Sequence, residues 1–201
     1  MPDVYLLRHG ETQWNAAGNR YCGRTDIPLT AKGIAQAESV RDQLKAIPFE
    51  AVYSSPLQRS LVTAQIASGG RGKVIADQRL IEIDFGNWEG KTRAEFIKEN
   101  ASVWNNWCEA PDESKAGATG ETAREVISRL DNFYGSILEK HPSGNILVTG
   151  HNGTNRLYLA WKLGMPLKYY RRIVQENSSV TLFGLDAETH ELTLKRLNSR
   201  F

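Results

Sequence analysis

Cysteine is scarce in this chain: two in 201 residues, Cys22 and Cys108. So few thiols exclude a disulfide-stapled scaffold, and free thiols in a reducing cytoplasm are the expectation. The four histidines stand far apart, and no zinc spacing such as HExxH occurs, so neither a metal nor another cofactor is expected. Neither sign of charge dominates. Lys and Arg number 25 against 23 Asp and Glu, and a net +2 is too small to argue for nucleic acid or an anionic membrane. No apolar run approaches the ~18 residues of a membrane span. Met1-Pro2-Asp3 lacks the basic-then-apolar pattern of a signal peptide, so a cytoplasmic location is expected. Repeats and low-complexity tracts are also missing.

What is present reads as ordinary globular sequence, 40% hydrophobic and 24% charged, long enough for a sizeable core. Strands are expected at Val4–Arg8, Ala51–Ser54, Val74–Ala76, Ile146–Thr149, Val180–Leu185 and Leu192–Leu197. The first and fourth are near-continuous apolar runs, as in strands covered on both faces. Helical spacing occupies Thr30–Ala46 (with Ile34, Ala37, Val40, Leu44 and Ile47 apolar), Pro56–Ala67, Glu121–Lys140 and Thr154–Leu163. The alternation predicts an α/β fold, three layers α/β/α around a mainly parallel sheet, with the last two strands as an antiparallel hairpin. One domain over 1–201 is expected. Its irregular, tryptophan-rich stretch at about 87–120 reads as a lid or small subdomain, with a helix near Arg93–Cys108.

Three polar clusters fall where strands give way to helices. Arg8-His9 closes the first strand, Ser54-Ser55-Pro56 follows the second with Arg59 on the next helix, and Gly150-His151-Asn152-Gly153 follows the fourth. Open α/β sheets bind ligands at this edge, where helix N-termini offer free N–H groups and partial positive charge. Two arginines, two histidines and two helix ends describe a receptor for a small anion, most naturally phosphate.

These residues carry a resemblance. LLRHGETQWN at Leu6–Asn15 resembles the signature of the histidine phosphatase superfamily, the phosphoglycerate-mutase-like fold. YSSPLQRSLVTAQ at Tyr53–Gln65, LIEIDFGNWEG at Leu80–Gly90 and VTGHNGTNR at Val148–Arg156 are similar to its later blocks, in order and in register. The resemblance implies that His9 is the nucleophile and forms a phosphohistidine. Arg8 and Arg59 would neutralise the phosphoryl oxygens, His151 would donate to one of them, and Glu82 would act as general acid and then base. Asn15, Cys22 and Gly23 match positions that contact phosphate or substrate.

Two positions depart from the pattern. Asn152 stands where glycine usually follows the second histidine, which places an amide in or beside the site. Cys22 stands where a small hydroxyl residue is frequent. His141 reads as a helix-end residue, His190 as a solvated turn residue, and Trp88, Trp104 and Trp107 as packing.

Ile83-Asp84-Phe85 follows Glu82 where cofactor-dependent mutases of this family carry arginine, histidine and tyrosine, so their basic carboxylate clamp is not visible here. The expectation is therefore a metal-independent phosphatase for small phosphomonoesters. A phosphoglycerate-type mutase and a non-catalytic phospho-ligand binder are the alternatives. The expected partner is a small phosphorylated metabolite, with no nucleic acid and no membrane; a homodimer is left open.

Overall fold

Val4, Leu6, Tyr5 and Leu7 alternate between two faces, yet all four are buried, so the strand that holds them must be covered on both sides. The computed structural model describes residues 1–199; Arg200 and Phe201, the end of the expected 1–201 domain, lie outside the described residues. The strands are β1 (Asp3–Arg8), β2 (Ala51–Ser54), β3 (Val74–Ala76), β4 (Asn145–Gly150), β5 (Val180–Leu185) and β6 (Leu192–Ser199). They form one sheet in the order β3-β2-β4-β1-β5-β6. The first four run parallel, while β5 is antiparallel to β1 and β6 to β5.

The helices are α1 (Gln13–Ala16), α2 (Ala31–Leu44), α3 (Gln58–Ala67), α4 (Arg93–Glu99), α5 (Ala101–Glu109), α6 (Ala123–Lys140) and α7 (Asn152–Lys162). On one face of the sheet, Val40 and Leu44 of α2 and Ala64 and Ala67 of α3 pack against Tyr5, Leu7 and Leu147. On the other, α6 and α7 meet Val4, Leu6, Ile146 and Val148. Thr122 caps α6 by accepting from the Glu125 N–H, and the Glu125 side chain accepts from the Thr122 N–H in return. Its apolar face then buries Val126, Leu130, Phe133 and Ile137, each worth roughly 1.5–3 kcal/mol on transfer from water. The result is the expected α/β/α arrangement around a mostly parallel sheet.

Some boundaries differ, for local reasons. The helix expected over Arg93–Cys108 is two helices, because Asn100 leaves helical geometry (φ −157°, ψ 89°) and uses its side chain to cap α5. α7 starts at Asn152, directly after His151, not at Thr154. Ile34 is 41% exposed: α2 turns Gly33, Ala37 and Val40 inward and leaves Ile34 outside. Between positions 87 and 120, Trp88, Phe96 and Trp107 are buried in the main core, and Trp88 stacks on Phe96 at 4.7 Å. The sheet register sets Arg8 opposite Gly150 and Ser54 opposite Thr149, so the ends of β1, β2 and β4 lie side by side.

Candidate active site

His9 is the first residue beyond β1 and is buried. Its Nδ1 lies 2.7 Å from the Gly10 carbonyl oxygen, which accepts only, so Nδ1 carries the hydrogen and Nε2 keeps a free lone pair. Burial pushes its pKa well below the ordinary histidine range, and the neighbouring Arg59 and Arg8 charges push the same way. The ring is therefore neutral at physiological pH. His151, the residue before α7, is fully buried, and its pKa is likewise lowered by burial and by Arg59. Neither of its ring nitrogens has a protein partner.

Arg8 donates from Nη1 to the Gln175 carbonyl (2.7 Å) while its buried Nε has no partner. Burial and the nearby Arg156 charge bring its pKa down to about 10, still cationic at neutral pH. Arg59, on the first turn of α3, is fully buried. It donates from Nη1 to Thr25 O (2.8 Å) and from Nη2 to Gly23 O (2.9 Å) and Cys22 O (3.2 Å). Its Nε is unpartnered. Arg59 thus clasps the 22–25 loop, a role the sequence does not announce. Glu89 holds the same loop from the other side by accepting from the Gly23 and Thr25 N–H groups at 3.0 Å. A side chain at position 23 would collide with the Ile83 carbonyl, so only glycine fits this close approach.

Glu82 is buried and sits at the N-terminus of α7. Oε1 accepts from the Ile83 and Thr154 N–H groups and Oε2 from Gly153 N–H, all at 2.9 Å. Gly153 lacks the Cβ that would lie 2.8 Å from Oε1, which lets the helix end approach the carboxylate. A carboxylate offers about four acceptor positions, so Oε2 retains one.

A cavity of about 550 Å³ opens onto these groups. Arg8, His9, Asn15, Cys22, Glu82 and Asn152 line it, whereas Arg59, His151 and Gly23 are buried and are not among its lining residues. Asn15 uses Oδ1 to accept from the Thr12 N–H (3.1 Å) and the Asn177 amide (3.3 Å). Asn152 reaches the cavity with a buried, unpartnered Oδ1. The Cys22 thiol is raised to about 11, mainly by burial, and stays protonated. Among the described residues no group of three or more His, Cys, Asp or Glu side chains is placed to hold a metal ion, and no helix is long and apolar enough to cross a membrane.

Sequence reasoning missed several contributors. Asn177 donates to the His9 carbonyl at 3.1 Å, and Thr63 accepts from the Gly10 N–H at 3.0 Å. Arg93, Arg156 and Arg171 also line the cavity. They stand on three separate elements, and no local spacing signals their convergence. His141 bonds the Tyr53 hydroxyl at 3.0 Å, away from the cavity.

The histidine phosphatase superfamily (branch 1) model matches residues 4–199. An adenosylcobalamin/alpha-ribazole phosphatase of Escherichia coli is 34% identical over 201 residues, covering 98% of this chain and 96% of that protein. A probable 2-carboxy-D-arabinitol-1-phosphatase of Arabidopsis thaliana is also 34% identical; the match covers 97% of this chain but only 41% of that longer protein. The crystal structure of phosphoserine phosphatase from Entamoeba histolytica in complex with 3-phosphoglyceric acid superposes with a TM-score of 0.88 at 30% identity. That match covers 99% of this chain and 98% of the other. The chain belongs to the histidine phosphatase superfamily, branch 1, and is a phosphatase.

Proposed function

We propose that the chain hydrolyses small phosphomonoesters without a metal, through a phosphohistidine on His9. The observation that carries this reading is the hydrogen bond from His9 Nδ1 to the Gly10 carbonyl, which leaves Nε2 as the lone-pair nitrogen of a neutral ring that lines the cavity. The Nε2 lone pair attacks phosphorus and the P–O ester bond breaks. As general acid, Glu82 passes a proton from the free position on Oε2 to the departing alkoxide. Water then attacks the phosphohistidine, Glu82 takes a proton from it, and the P–N bond breaks to return neutral His9 and inorganic phosphate.

Charge on the phosphoryl oxygens is met at the cavity wall by the unpartnered Nε–H of Arg8, while Arg59 and His151, buried outside the lining, keep an unpartnered Nε–H and ring nitrogens in reserve for a seated phosphoryl group. A pure phospho-ligand binder would need neither a nucleophile nor a carboxyl cradled beside it. Asp84 and Glu89, the neighbouring acids, are engaged with the Gly86 N–H and with the 22–25 loop respectively, which favours Glu82 in the acid–base role.

Turnover of an aryl phosphate in the presence of excess chelator tests the reading. Full activity and inhibition by vanadate are expected, and strict dependence on added magnesium or zinc overturns it. Phosphate release to water with no bisphosphoglycerate-primed isomerisation separates the phosphatase from a mutase.

A further inference from the structure

Several arginines of this chain are paired with acids, Arg20 of the cavity wall among them. Arg20 meets Glu95, Arg79 meets Asp77, and Arg24 and Arg129 both meet Glu121, at 2.6 to 3.0 Å. Arg93, Arg156 and Arg171 are different. All three line the active-site cavity, and among the described residues none has a carboxylate within salt-bridge distance.

Aromatic faces and neutral groups hold them instead. The Arg171 guanidinium lies 4.8 Å over Trp104 and 5.0 Å over Tyr170, and its Nη2 donates to Cys108 Sγ at 2.9 Å. Arg156 lies 5.3 Å over Tyr170 and donates from Nε to the Asn152 carbonyl at 2.9 Å. Arg93, on the first turn of α4, lies 6.0 Å from Trp104. Stacking fixes a guanidinium plane without consuming its charge, and leaves in-plane N–H donors for an oxyanion. Arg171 Nη1 is buried and has no partner.

Tyr21 lines the same cavity. Burial chiefly raises its phenol pKa, Tyr170 adds to the rise, and Arg171, Arg156 and Arg93 oppose it. Tyr21 therefore remains a hydroxyl donor in the cavity that the three arginines also line. Arg8 and Arg59 already serve the phosphoryl group in the reading above, and among the described residues the only acid lining the cavity is Glu82. This leaves a concentration of positive charge that neither the protein nor a single phosphoryl group neutralises.

We propose that Arg93, Arg156, Arg171 and the Tyr21 hydroxyl form a second anion-binding site in the same cavity. It selects phosphomonoesters that carry a further anionic group, carboxylate or phosphate, remote from the phosphoryl group that is cleaved. The inference rests on the phosphatase reading for the placement of the first anion. It also explains why no basic clamp shows in the sequence after Glu82: the cations come from α4, α7 and the 3-10 turn Leu167–Arg172.

The test uses propyl phosphate, its terminal carboxylate analogue and its terminal bisphosphate analogue. Each is assayed for kcat/KM on the wild type, and for binding by calorimetry on His9→Ala, which needs no turnover. At least one two-anion compound should be preferred over propyl phosphate by about 10- to 100-fold, the worth of a hydrogen bond between charged groups. The ranking of carboxylate against phosphate then identifies the anion. In Arg171→Gln the preference should shrink about tenfold or more. Arg93→Gln, at an exposed position where folding is not at stake, should shrink it in the same direction. Equal binding and turnover of all three compounds overturns the inference while the phosphatase reading stands, as does a preference that both variants retain in full. Selective binding of a two-anion compound with no turnover of any ester has the opposite meaning: the anion site stands and the phosphatase reading falls.

Discussion

The His9 and His151 rings face each other edge to face, 5.1 Å between centroids and 61° between planes. Two imidazolium ions would repel at this distance; two neutral rings do not. Both are held neutral chiefly by burial, with Arg59 acting on each.

A stability profile follows from this pair. Both folded pKa values lie below the unfolded value of ~6.5, so below that pH the unfolded chain takes up protons that the folded chain refuses. Their contribution is complete above ~6.5 and is lost as pH falls, by up to about 1.4 kcal/mol per pH unit for each ring. Glu121 and Asp77, whose pKa values are lowered, lose their contributions only further down, in the carboxylate range. Thermal unfolding without phosphate should therefore give a level Tm from pH 8 to 7 and a decline from about 6.5 to 5. The decline should be shallower in His151→Gln. A wild-type Tm that holds constant or rises across that window contradicts the buried neutral pair.

Glu82→Gln tests the acid–base role. With an alkyl phosphate the loss in the first step should be ~10²–10⁴-fold, the usual worth of general acid catalysis. An aryl ester with a low-pKa phenol needs little protonation and should suffer much less in that step. Dephosphorylation then becomes limiting and a burst of phenol appears. Equal losses for both esters in His9 phosphorylation make Glu82 a positioning residue. The same variant sets an amide NH₂ against one of the N–H donors from Ile83, Gly153 or Thr154, which should also cost about 1–3 kcal/mol in denaturant unfolding.

Arg59→Met retains much of the buried volume and removes the donors to Cys22, Gly23 and Thr25. Three carbonyls lose their partner, so amide hydrogen exchange over residues 22–26 should accelerate at least about tenfold, and hydrolysis should fall with it. Unchanged exchange in that loop means that Glu89 alone holds it.

The sequence makes some of this architecture plain and hides the rest. β2 and β5 end where expected, at Ser54 and Leu185, because local patterning suffices for strands inside a covered sheet, and the short edge strand β3 ends with its apolar run at Ala76. Arg8, His9, Glu82 and His151 stand within short blocks at or beside element ends, so their residue types point to the phosphate chemistry. The Asn100 break between α4 and α5 is legible only as a capping preference competing with helical spacing, and spacing misleads there. Ile34 misleads too, since membership of a 3–4 pattern does not say where the buried arc ends. Arg93, Arg156 and Arg171 are illegible as a group, because only the tertiary fold brings 93, 156 and 171 to one cavity. The clasp of Arg59 on the 22–25 loop is hidden for the same reason.

The central claim is the covalent intermediate on His9. Wild-type enzyme is mixed with a substrate carrying labelled phosphate, quenched in alkali within the first turnover, digested and mapped by mass spectrometry. The predicted result is an alkali-stable, acid-labile phosphoryl group on the peptide containing His9, absent from His9→Ala together with hydrolytic activity. Rapid turnover with label on another residue, or with full activity remaining in His9→Ala, would contradict the account.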